Sequence, residues 1–119
     1  METKQRLNTA KISKTAQLNP NGFTIAWTGN KPKLSGYVVA VSDLKTKPHN
    51  IKQALQKLFK VAKTLNAQSY IGGWKDAKTG YFYLDISLNV PSIAEAETIG
   101  KVFNQKAVFN IAKLEAVYI

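Results

Sequence analysis

From Asn50 to Leu88 the chain reads NIKQALQKLFKVAKTLNAQSYIGGWKDAKTGYFYLDISL, and this stretch decides the fold. Its first half has the period of a helix. At about 100° per residue, Leu55, Leu58, Phe59, Ala62 and Leu65 fall on one arc. Lys52, Gln53, Gln56, Lys57, Lys60, Lys63 and Thr64 fall on the other. The spacing predicts a helix over Asn50–Asn66 with a ridge of lysines outside. The second half switches to a period of two. Ser69–Trp74 and Tyr81–Leu88 read as strands, joined by a turn over Lys75–Gly80 whose glycine suits a positive φ. On the second strand Phe82, Leu84, Ile86 and Leu88 share one face, and Tyr81, Tyr83, Asp85 and Ser87 the other.

On the amino-terminal side, Phe23, Ile25 and Trp27 alternate with Thr24, Ala26 and Thr28, which predicts a half-buried strand over Gly22–Thr28. Ser35–Val41 is apolar on both faces and reads as a central strand, followed by a polar connector over 43–49. Residues 1–20 read as a flexible basic tail that orders on binding, in preference to a short helix over Thr3–Gln17, and 21–119 as one domain. On the carboxy-terminal side, Ser92 and Glu95 form a capping box for a second helix, ended by Asn104-Gln105. Ala107–Ile111 and Leu114–Ile119 read as a terminal hairpin. The expected fold is α+β, in the order β-β-α-β-β-α-β-β. It is a mainly antiparallel sheet with two helices on one face.

At 119 residues the chain suits one domain. It has no cysteine, so disulfides, zinc–cysteine sites and thiol nucleophiles are excluded, and a reducing, cytoplasmic setting is expected. No apolar run approaches the roughly 20 residues that span a bilayer, and no signal peptide is read. The net charge is +10 and unevenly placed. Residues 1–67 hold twelve Lys/Arg against Glu2 and Asp43, whereas residues 68–119 hold five Lys against five acids. Such a field attracts polyanions or an acidic protein face.

Catalytic signatures are missing. His49 is the only histidine and stands beside Pro48, away from any nucleophile-elbow sequence. Asp85 is a mid-strand acid that could serve as a base, yet could equally bond a neighbour or pair with a lysine. Gly72-Gly73 lacks the Lys-Ser/Thr and the helix that a phosphate loop requires. The expectation is a protein that is not an enzyme, with no catalytic residue, metal or cofactor.

Alternation places Tyr70 and Trp74 on one face, and in simple register with Tyr81 and Tyr83. An open sheet face with aromatics beside a basic helix is how several modules stack single-stranded nucleic acid, although a covered face would make the same residues plain packing.

Several segments together resemble a family of small uncharacterised proteins encoded by bacteriophages, prophages and plasmids. They are Asn21-Gly22-Phe23-Thr24, Gly36-Tyr37-Val38-Val39, Ile71-Gly72-Gly73-Trp74-Lys75-Asp76 with Thr79-Gly80 and Tyr83-Leu84-Asp85, and Asn104-Gln105 with Ala107-Val108-Phe109. The resemblance covers residues 21–119. It implies an accessory protein of a mobile element, acting in the host bacterial cytoplasm, and brings no reaction with it. This chain departs from the family in being rich in lysine.

Three functions follow as expectations. The first is binding of RNA, DNA or a host nucleoprotein, with Lys31, Lys33, Lys45, Lys47, Lys52, Lys57, Lys60 and Lys63 on phosphates and Tyr70, Trp74, Tyr81 and Tyr83 on bases. The second is inhibition of a host defence nuclease, in the manner of an anti-CRISPR or anti-restriction protein. The third is a structural role, in which the last strand could pair across the edge of a homodimer. No membrane partner is expected.

Overall fold

The computed structural model describes residues 6–65 and 67–119. The fold is α+β. Six strands form one antiparallel sheet: β1 (Phe23–Ile25), β2 (Tyr37–Thr46), β3 (Tyr70–Lys75), β4 (Phe82–Val90), β5 (Ala107–Asn110) and β6 (Glu115–Tyr118). Their order across the sheet is β1-β3-β4-β2-β5-β6. Three helices, α1 (Thr9–Leu18), α2 (Ile51–Thr64) and α3 (Ile93–Val102), cover one face. A 3₁₀ turn over Pro48–Asn50 leads into α2.

The alternation of β4 explains the layering. Phe82, Leu84 and Ile86 are buried beneath α1 and α2, together with Ile25, Ile71, Leu55 and Leu58. Leu88 continues the row toward α3, where Val39, Ala96 and Val108 form a smaller core. Gly100 lets α3 lie close. A Cβ there would stand 2.5 Å from Cδ1 of Ile119. Ser92 caps α3 as its sequence requires, accepting from the Glu95 amide at 3.2 Å.

Three expectations are corrected. First, much of the segment read as a flexible tail is helix α1, so the described residues hold three α-helices rather than two. Ile12 and Ala16 are buried in the main core. Asn8 caps this helix by accepting from the Lys11 amide, and its own amide donates to the Trp27 carbonyl at 2.9 Å. Residues 1–5 of that segment, and Asn66 at the end of the predicted helix, lie outside the described residues. Second, β1 stops at Ile25. The amide of Gly29 donates to the Ala26 carbonyl and closes a turn. That turn drives Trp27 into the core, where its indole N–H donates to the Ser69 hydroxyl at 3.1 Å. Third, β2 runs on to Thr46 through half of the expected connector, because a bulge at Val41 resets its register against β4. Val41 stays buried, and Asp43 and Lys45 turn to the uncovered face.

Candidate nucleic-acid interface

Helix α2 carries the strongest candidate surface. Its apolar arc is spent on the core, with Ile51, Ala54, Leu55, Leu58 and Ala62 buried. The opposite arc therefore faces solvent, and Lys52, Lys57, Lys60 and Lys63 are all exposed. Neither α1 nor α2 contains an acidic residue, so the two-helix layer carries positive charge alone. Phe59 is held from beneath by Trp27, with ring centroids 5.4 Å apart, while the Lys63 ammonium stands 4.9 Å above its ring. Beside it lies a groove of about 420 Å³ floored by Leu7 and Phe59 and rimmed by Lys57, Lys60 and Lys63.

The lysines outside α2 divide. Lys47 is exposed at the entry to the 3₁₀ turn. Lys31 and Lys33 are exposed in the loop after Asn30, and that loop is tied to α1 because the Lys11 ammonium donates to Asn30 Oδ1 at 2.9 Å. Lys45 belongs elsewhere. Its register opposite Tyr83 puts it on the uncovered face of the sheet. Lys14 and the Leu7–Phe59 groove escaped sequence reasoning, because residues 1–20 read as tail. The usable signal was Asn8 ahead of Ile12 and Ala16, a cap followed by an i, i+4 apolar pair.

Three of the four aromatics, Trp74, Tyr81 and Tyr83, gather on the face away from the helices. Trp74 and Tyr83 are cross-strand partners whose rings stack 4.7 Å apart at 11°. The Lys45 ammonium lies 4.6 Å from the Tyr81 ring centroid and 5.9 Å from that of Tyr83. Tyr70 shares this face but sits four residues from Trp74 along β3, opposite Ser87. Between these aromatics the face is acidic. Asp85 and Asp43 are directly opposed on β4 and β2. Asp85 leans over Gly72, where a Cβ would come within 2.8 Å of its Oδ1. Burial pushes the Asp85 carboxyl above its usual range. The Ser87 hydroxyl, which donates to it, pulls the other way, and the facing Asp43 raises it further.

The structure thus separates what the sequence reading combined. The α2 ridge and the aromatic cluster lie on opposite faces of one sheet, and of the eight candidate lysines Lys45 is the one that accompanies the aromatics. His49 is exposed on the 3₁₀ turn, on a different element from Asp85. Among the described residues, no three His, Cys, Asp or Glu side chains gather in a way that could hold a metal ion. No helix among them is long and apolar enough to cross a membrane. The chain matches no family model, no curated protein and no solved structure.

Proposed function

We propose that this protein is a non-catalytic accessory protein of a mobile element that binds nucleic acid, free or within a nucleoprotein, through its α1–α2 face. The acid-free pair of helices carries this reading. Lys52, Lys57, Lys60 and Lys63 project from a rigid, core-anchored helix with no carboxylate on either helix to neutralise them. Lysines act as mobile point charges, suited to phosphates and poor at reading base edges, so binding is weakly sequence-specific. The sheet face is the weaker surface for a polyanion, because Asp43 and Asp85 would repel phosphates there.

Fluorescence anisotropy with a labelled duplex tests this. If all four α2 lysines engage, log K falls with log salt at a slope of about −3.6, or roughly 150-fold between about 50 and 200 mM. Lys60→Gln with Lys63→Gln makes the slope shallower by about 1.8. Equal affinity at both salt concentrations, or no binding at the lower one, refutes the proposal.

A further inference from the structure

The two edges of the sheet are treated differently. The β1 edge is only three residues long, and the Pro20 carbonyl just before it accepts from the Lys75 amide at 2.8 Å. The β6 edge, Glu115-Ala116-Val117-Tyr118, has no proline, no lysine and no bulge, the devices that blunt exposed edges. Its backbone polarity follows from its register. The Ile119 amide donates inward to the Lys106 carbonyl at 3.0 Å. Alternate residues of an antiparallel ladder point the same way, so Val117 and Glu115 also bond inward to β5. Ala116 and Tyr118 therefore aim their N–H and C=O groups out of the sheet. The surroundings are unusually apolar, with Tyr118 82%, Leu114 76% and Val102 74% exposed, and Phe103 and Phe109 exposed nearby.

We propose that β6 pairs antiparallel with β6 of a second copy, forming a two-fold dimer with a continuous sheet. Register and charge both select a copy of this chain. The Leu114 amide is already spent on the Ile111 carbonyl, so only Ala116 and Tyr118 have outward groups to offer. The dyad then passes through Val117, and Ala116 faces Tyr118 of the second copy, satisfying every outward group of both residues. The side chains fit this register. Each Tyr118 ring lies over the small Ala116 of its mate and reaches toward Phe109, which neighbours Ala116 in the ladder. On the helix face Val117 meets its own symmetry mate. Glu115 comes to lie two strand spacings from Lys106 of the second copy, across Ile119 of that copy, twice by symmetry. Residues 91–119 carry Lys101, Lys106 and Lys113 against Glu95, Glu97 and Glu115. This is the flank of a +10 chain on which two copies can meet without opposing net charge.

Sedimentation equilibrium of the full chain tests the dimer, from about 10 to 500 μM, in enough salt to strip any shared nucleic acid. The mass should rise from 13.2 kDa toward twice that value. Ala116→Pro removes an outward donor and no β5–β6 bond, and Tyr118→Lys places a charge at the dyad. Each should raise the dissociation constant at least about tenfold with an unchanged circular dichroism spectrum. If the proline variant loses its native spectrum, Tyr118→Lys decides, since that side chain is almost wholly exposed. A mass of 13.2 kDa throughout, larger assemblies, or a dimer indifferent to Tyr118→Lys overturns the proposal.

Discussion

Ile12→Ala is the sharpest probe of whether the basic layer is rigid. Ile12 is fully buried in the main core, with Ala16, Trp27 and Leu55 in the same cluster. Truncating such a side chain removes its transfer free energy and leaves a cavity, for a cost of about 2–5 kcal/mol. A chain of this length unfolds with an entropy of about 0.25 kcal/mol per kelvin, so a cost of about 3 kcal/mol lowers Tm by about 12 °C. A detached tail would give a change within about 0.5 kcal/mol, as for exposed substitutions generally. Lys14→Ala, on the exposed side of the same helix, supplies that control. Urea unfolding followed by tryptophan fluorescence is the assay, because Trp27 reports from the site itself. If α1 undocks before the rest unfolds, the measured loss is capped at the docking free energy and still exceeds the control. A loss below about 0.5 kcal/mol would detach α1 from the core, and with it the fixed position of Leu7 beside the α2 lysines.

Asp85→Asn should flatten part of the pH dependence of stability. Because the folded protein holds this carboxyl above its ordinary value of 3.8, its contribution to stability is complete below that value and fades as pH rises through the raised one. The variant should therefore gain on the wild type in urea titrations at neutral pH relative to acid pH. A difference independent of pH would contradict the burial argument. Trp74→Ala should abolish the acrylamide-accessible fluorescence, since Trp74 is 48% exposed and Trp27 is fully buried. The same variant should leave duplex and single-strand affinity within about twofold, whereas a stacking platform would lose about 1–3 kcal/mol per base. A loss of that size would move the interface to the sheet face.

The parts of the fold legible in the sequence are those where one period runs uninterrupted. Helix α2 and the β3–β4 hairpin are such parts, and Gly80, at φ +77°, occupies the turn position expected of it. Local periodicity failed where tertiary contacts overrode it. The Phe23–Trp27 alternation continues past the end of β1, because Trp27 reaches the core from a turn. Helix α1 has a weak amphipathic pattern and forms on Ile12, Ala16 and the Asn8 cap, against a core that only the folded sheet supplies. The candidate site was half legible. The α2 lysines were readable from the helical period, and the shared face of Tyr70, Trp74 and Tyr83 from alternation. Their placement on opposite faces depends on which side of the sheet the helices cover, and no single segment encodes that.

This separation of faces gives the two proposals a shared geometric consequence. Pairing through β6 keeps equivalent faces of both sheets on the same side, so the α1–α2 layers of the two copies point together. Helix α2 packs over β2 and β4, two to three strands in from the β6 edge. Strands lie about 4.8 Å apart, so the two α2 ridges stand roughly 30 Å apart across the dyad. That is close to one turn of duplex, about 34 Å. A duplex of two turns can then engage both ridges, while one of half a turn engages only one. Tyr118→Lys should accordingly weaken binding to about 21 base pairs by tenfold or more, through lost bivalency, and leave binding to about 6 base pairs unchanged. Equal weakening on both lengths would mean that the new lysine disturbs the ridge itself. Weakening on neither would mean that the ridges act singly, whatever the oligomeric state.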